Sequence, residues 1–389
     1  MKSVKYVLRI ILLLILPACI PLPLPTPTPT AAIQTGTATP IETPTSTPTA
    51  TPIETSTSTP STIPEDTETP TLPSTGTETG TPTSTVGITA TPGPIDIPAL
   101  EEWDAGNLAF SHGAEGEWDH ILWGGFANSL IKKGDTYYLY YQGSSFYDEQ
   151  CESVAHRAIG LATSTDGLNW VKSPNNPVIT WSSQGSVEEG AVGSAAWLGE
   201  DGRFYVYYGA NTGTGCNIRA NLRLAVSEDG ENFQDAGEVL SARDPNVWGF
   251  GDELHPVGAY AYAGQWYLYY IPNGVALARR LGLGIGSSSS SFPQSMGLND
   301  SSVPAWGPVS VVLGEAGSVL VTNPEGVDGP LSFYRFDARN PGVVELEDSY
   351  TLPDCRQASL VHERGTNHWV MLCRDGTAEN YYIRNAFTQ

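Results

Sequence analysis

Cations, cysteine and long apolar runs are all scarce in this sequence. Its 389 residues hold 19 Lys+Arg against 42 Asp+Glu, a formal charge of −23. That balance excludes nucleic acid as a partner, because neutralising a phosphate backbone takes clustered Lys and Arg. It equally excludes a polybasic hold on anionic lipid. None of the five cysteines has CxxC spacing, HExxH is absent, and six scattered histidines give no ligand spacing, so no metal site is marked. No GxGxxG follows a strand and opens a helix, and no cofactor is implied. The many acids leave room for a structural calcium ion, but no ligand set for one is marked. The apolar run Ile10–Leu16 falls short of the ~20 residues that a membrane helix needs. What is abundant is aromatic: ten Trp and 18 Tyr, enough to exclude a wholly disordered chain.

Lys2, Lys5 and Arg9 precede the apolar run, and Leu16-Pro17-Ala18-Cys19 follows it. A positive start, a short apolar stretch and a small residue before the cut describe an export signal over 1–19. LPAC resembles a bacterial lipobox, which would make Cys19 the lipidated residue and anchor the chain to the outer face of the membrane; ordinary secretion is the alternative. Residues 20–98 are Thr, Pro and Ser with scattered acids, as in "TPIETPTSTPTATPIETSTSTP". With no apolar period to bury, this segment reads as an extended, disordered linker, and dense Thr beside Pro also suits an O-glycosylated stalk. The folded domain is expected over 99–389, where 16 basic residues face 35 acidic ones, a net of −19. Such a surface disfavours acidic substrates. Four cysteines remain in it, and an even number in an exported chain reads as two disulfides. Cys355 and Cys373 flank one expected hairpin; Cys151 and Cys216 would join two neighbouring loops.

An internal repeat is the most informative feature. Tyr137-Tyr138-Leu139-Tyr140-Tyr141, Phe204-Tyr205-Val206-Tyr207-Tyr208 and Trp266-Tyr267-Leu268-Tyr269-Tyr270 each follow a Gly-bearing turn, and a second apolar run precedes each turn. This is strand, tight turn, strand. A third strand ends in A-x-S-x-D-G-x-N-[WF] at 162–170 and 225–233, with a degenerate copy at 283–295. Weaker hairpins follow at 318–337 and 358–374, then a last strand at 378–386. Sheets of this kind bury both faces only by packing on copies of themselves. An all-β, five-bladed propeller is expected rather than a sandwich, whose hairpins have no reason to repeat. The segment 108–113 is expected to pair with the last blade and close the ring. A monomer is expected.

The strings "GDTYYLYYQG", "ATSTDGLNWVKSPNNPVI" and "DGRFYVYYGA" resemble the five-bladed propeller glycosidases, glycoside hydrolase family 43 with its relatives in families 32, 62, 68 and 130. The resemblance implies three carboxylates at the starts of the innermost strands of the first three blades, around a funnel. One would act as base or nucleophile, one would orient, and one would donate a proton. At the matching positions this chain carries Ala127, Val192 and His255, with Asn128 and Ser194 beside the first two. Carboxylates stand a few residues upstream instead. Asp119 is accordingly expected as base, Glu189 as the middle acid and Glu253 as proton donor. Expected sugar-binding residues are Trp123, Asn128, Glu188, Asp244, Trp248, Asp252, His255 and Arg356, with Asp244 in an Arg-Asp-Pro tripeptide of the family 32 kind. The function so implied is a surface glycoside hydrolase acting on poly- or oligosaccharide. The alternatives are a non-catalytic carbohydrate-binding propeller and a partner-binding surface module.

Overall fold

A computed structural model describes residues 94–388, except 123–127, 150–152, 181–189, 212–218, 274–279, 299–302, 304–306, 324–329, 364–365, 376 and 378. The expected signal with Cys19, and Trp123, Cys151, Glu188, Glu189 and Cys216, lie outside the described residues. Strand β1 (Asn107–Ser111) comes first, followed by four strands in one antiparallel sheet: β2 (Ser129–Lys133), β3 (Thr136–Asp148), β4 (Ser153–Ser164) and β5 (Val171–Lys172). The second group is β6 (Ala191–Leu198), β7 (Phe204–Asn211), β8 (Ala220–Ser227) and β9 (Gln234–Leu240). The third is β10 (Glu253–Tyr262), β11 (Gln265–Asn273), β12 (Gly282–Gly286) and β13 (Gln294–Gly297), bridged to the second by a parallel pair, Glu253 with Ala220. The fourth is β14 (Val309–Val312), β15 (Ser318–Thr322), β16 (Leu331–Phe336) and β17 (Val344–Tyr350). The last runs β18 (Arg356–Glu363), β19 (His368–Arg374), β20 (Asn380–Phe387), and its fourth strand is β1.

First strands lie side by side in the cycle β2, β6, β10, β14, β18 and back to β2. The chain is therefore a β-propeller of five blades, closed by an N-terminal strand in the C-terminal blade, where 108–113 was expected to pair. One boundary moves. Residues 94–98, linker by composition, lie on the domain: Ile95 packs in the core between blades four and five, and the Trp369 indole donates to Asp96 O at 3.1 Å.

Burial falls from hub to rim and explains the composition of each strand. Every residue of β7 is buried, because both faces of an inner strand meet a neighbouring blade, whereas β9, β13 and β17 are largely exposed. Inner strands hence read as unbroken aromatic and aliphatic runs, and rim strands as polar. Tyrosine suits this setting because its hydroxyl can reach a partner beyond the apolar layer. The fourth residue of each aromatic repeat does so. Tyr140 donates to Gly230 O at 2.8 Å, Tyr207 to Ser289 O at 2.8 Å and Tyr269 to Pro341 O at 3.4 Å. Each acceptor lies between the third and fourth strands of the following blade. Burial raises all three phenols well above their usual pKa, so they remain donors.

The repeated S-x-D-G-x-N turns form matching cages. Asp166 Oδ1 accepts from the backbone of Leu168 and Asn169 at 2.8 Å each, and Asp229 Oδ1 from Glu231 and Asn232 at 2.9 and 2.8 Å. Donors from Asn169 and Asn232, foremost, hold the two carboxyls well below the usual range. Around the hub, serines bond between blades: Ser129 Oγ donates to Ser194 O (2.8 Å), Leu360 N to Ser310 Oγ (2.8 Å) and Ser359 Oγ to Asn128 O (2.5 Å). Cys355 and Cys373 form a disulfide, with Cα atoms 5.1 Å apart, across the β18–β19 hairpin.

Replacing Tyr207 by Phe strands the Ser289 carbonyl and is expected to cost about 1–2 kcal/mol, read from the urea midpoint. Tyr147→Phe, at an exposed ring, should leave that midpoint within about 0.5 kcal/mol of wild type.

Candidate functional site

The five first strands begin at one end of the channel and finish at the other. A cavity of about 610 Å³ fills the channel toward the finishing end, lined by Leu130, Trp197, Leu198, Val311 and Leu313 with Lys132 and Glu363. Those two charges are paired with each other. Lys132 Nζ lies 2.5 Å from Glu363 Oε1, the Tyr137 hydroxyl donates to the same oxygen, and His368 Nδ1 is 3.3 Å from Oε2. Burial alone would raise the Glu363 carboxyl; the Lys132 and His368 donors outweigh it and hold the group below its ordinary value. This end is a clasp between blades one and five, with an apolar channel above it.

Polar groups concentrate at the starting end instead. Glu253 opens β10, its side chain 13 % exposed, and its Oε2 lies 2.7 Å from Nε2 of the buried His255. The two share one side of the strand because residues two apart point the same way. A carboxyl and an imidazole in hydrogen-bond contact can pass a proton between them, and the residual exposure leaves the carboxyl reachable. Asn128, directly before β2, is buried; its Oδ1 accepts from the Tyr381 hydroxyl at 2.7 Å, and its Nδ2 donates to Gln357 O at 3.4 Å. Arg356 opens β18 and stands across the ladder from Arg374, which ends β19. Glu253, Asn128, His255 and Arg356 thus share the strand-start end.

Asp119, expected as base, is bound to other side chains of blade one. Its carboxylate is 3 % exposed as a residue and lies 2.6 Å from Lys172 Nζ on the rim strand β5, with the Tyr141 hydroxyl donating at 3.2 Å. Its backbone is packed so closely on Gly143 that a Cβ there would come within 2.9 Å of the Asp119 Cα. Neutralised by a lysine and wedged against β3, it holds blade one together. Asp244 caps its own turn, accepting from Asn246 N at 2.9 Å, and Asp252 is half exposed and paired with Arg243 at 2.8 Å. The Trp248 indole covers Gly297 on rim strand β13, and its backbone carbonyl accepts from Tyr270 at 2.9 Å. These three side chains are used up in building the connection into blade three.

The structure adds residues that the sequence reading passed over. Gln142 is buried and accepts from Gly193 N at 2.8 Å; Thr322, Gln357 and Arg374 are also buried. The Oγ1 of Thr322, Oε1 of Gln357 and Nε of Arg374 have no hydrogen-bond partner among the described residues. Thr322 and Arg374 close the second strands β15 and β19 and Gln357 is the second residue of β18, so their common end of the channel shows only once the strands are placed. Among the described residues no group of three or more His, Cys, Asp or Glu could hold a metal ion.

The chain folds as a closed five-bladed propeller with Glu253 at the strand-start end of its third blade. No protein-family model and no curated protein sequence matches the chain. Solved structures do. A family 117 glycoside hydrolase from Zobellia galactanivorans superposes with a TM-score of 0.52 at 15 % identity, covering 73 % of this chain and 90 % of that one. A β-1,2-mannobiose phosphorylase from Listeria innocua gives 0.50 at 10 % identity, covering 75 % and 92 %. At such identities the likeness shows the fold.

Asp119→Asn is expected to lower the unfolding free energy by about 1–3 kcal/mol, less than a fully buried pair because Lys172 is partly solvated. Lys172→Met should lower it similarly, as measured by urea titration. For Glu363 the folded pKa lies below the unfolded one, so its contribution is full above about pH 4–5 and disappears as pH falls through the folded value. Stability should therefore drop as pH falls below the ordinary glutamate range, and in Lys132→Met that acid slope should flatten.

Proposed function

We propose that the protein is an exported, glycoside hydrolase-like propeller that binds poly- or oligosaccharide at the strand-start mouth and cleaves it by carboxylate acid/base chemistry. The observation carrying this reading is Glu253, at the head of the third first strand and bonded to His255. Glu253, with His255 behind it, donates the proton to the departing sugar oxygen. Glu189, one residue before Gly190, is the remaining choice for the opposing carboxylate, now that Asp119 is bound to Lys172. Arg356 orients the sugar, while Asn128, its amide bonded on both sides across the seam of the first and last blades, supports the mouth from below. Cys19 anchors the chain by lipid at the outer membrane face, with residues 20–98 as the spacer. The molecule acts as a monomer and needs no cofactor in this scheme.

Val192 favours a second reading. It is 1 % exposed at the position where the second blade's carboxylate would stand, and it cannot move a proton. In that reading the mouth binds sugar and does not cut it.

Glu253→Gln keeps the size and the hydrogen-bonding reach of the side chain but removes its proton chemistry. Screening the exported chain against plant and microbial polysaccharides should give reducing-end release that falls about 10²–10⁴-fold in this variant. Full activity in Glu253→Gln would refute its role; glycan binding without product in wild type would establish the binding module.

A further inference from the structure

The domain is acidic, yet several arginines stand at the strand-start end of its blades. Arg219 and Arg280 precede β8 and β12, Arg157 lies opposite Ser144 near the head of β4, and Arg356 and Arg374 face one another across β18 and β19. Lys132 and Lys133, by contrast, end β2 at the far side. We propose that the Arg356–Arg374 corner is a subsite for an anionic substituent, a carboxylate or sulfate, on a sugar of the bound glycan. This inference rests on the reading of the mouth as a sugar site and names the substrate class.

The corner is costly to build, and Arg374 and Gln357 carry unspent bonding capacity in it. Like charges directly opposite on a ladder repel. Here the Cys355–Cys373 disulfide immediately precedes both arginines and holds their strands together. Arg374 is 8 % exposed; burial, with Arg356 adding to it, pulls its guanidinium below the ordinary pKa, which still leaves it charged. Nη1 donates to Leu122 O at 3.3 Å, while Nε has no partner among the described residues. The adjacent carboxylate, Asp375, offsets part of that lowering only by its charge, since its oxygens accept from Asn380 Nδ2 at 2.8 Å and from the backbone of Thr377 and Glu379. Buried Gln357, next to Arg356, has φ +52° and an unpartnered Oε1 among the described residues, which suits a sugar hydroxyl. A guanidinium desolvated without a full set of partners is stabilised by an incoming anion, and planar N–H pairs match carboxylate and sulfate.

The test is calorimetry of the exported chain with three probes of equal length: a uronate oligosaccharide, its carboxyl-reduced neutral form and a sulfated oligosaccharide. Wild type should prefer an anionic probe over the neutral one by roughly ten- to hundredfold, the yield of a charged hydrogen bond. Preference for the uronate or for the sulfated probe identifies the substituent. That ratio should collapse to within about threefold in Arg374→Met. Arg356→Gln, at the less enclosed residue, should reduce it too and serves if Arg374→Met fails to fold. Equal binding of acidic and neutral probes by wild type, or an unchanged ratio in the variants, overturns the proposal even if the enzyme cleaves neutral glycans. Selective anion binding without hydrolysis upholds this subsite and overturns the cleavage reading instead.

Discussion

Each of the first three blades of this molecule reaches the next through a phenol. Tyr140, Tyr207 and Tyr269 sit at the same step of three successive repeats, and each hydroxyl ends on a carbonyl in the next blade's outer turn. A propeller blade cannot bury its own faces, so its stability depends on registering against a neighbour. Apolar packing alone specifies such a contact loosely, whereas a buried donor with one acceptor specifies it tightly, because a stranded carbonyl costs about 1–3 kcal/mol. The tyrosines supply area and address together. Blades four and five lack this device, having Ser318–Thr322 and His368–Arg374 as second strands. There the chain relies on other links: Leu360 N on Ser310, the disulfide, and the Glu363 clasp to blade one.

Closure explains where the polar residues can go. With β1 completing the last blade, no backbone ladder joins the first and last blades among the described residues, and side chains hold that seam at both ends. At the foot, Lys132 and Tyr137 converge on Glu363; at the head, Tyr381 and Ser359 converge on Asn128. Asn128 therefore has a structural task whatever the mouth binds. Its amide presents both a donor and an acceptor, which an aspartate in the same place would not, and both are occupied.

The architecture was legible because repetition of turn and aromatic strand at 62–67 residues reports the blade directly, and the closing strand follows from one unpaired segment before the first repeat. Site residues were less so. Asp119 and Glu253 look alike in sequence, each an acid a few residues ahead of a blade, and only the partner separates them: Lys172 from a distant rim strand in one case, His255 from the same strand in the other. Trp248 was read as a platform, but its indole lies on Gly297, a glycine whose absent side chain carries no signal until the strands are placed. Arg374 was passed over since nothing local marks it; its meaning comes from Arg356 across the hairpin.

Net charge misleads for a related reason. A count of −19 over the domain predicts repulsion of anions at a distance, where fields sum over the whole surface. Recognition is decided within a few ångströms, and solvent with salt screens charges beyond about 10 Å. Several of the acids here are spent locally: Asp166 and Asp229 in turns, Asp235 on Arg223, Asp119 on Lys172, Glu347 on Arg335. The arginines at the mouth are fewer, but Arg374 is held in a desolvated corner where its interaction with an anion is weakened least. An acidic exterior and a cationic mouth are therefore compatible.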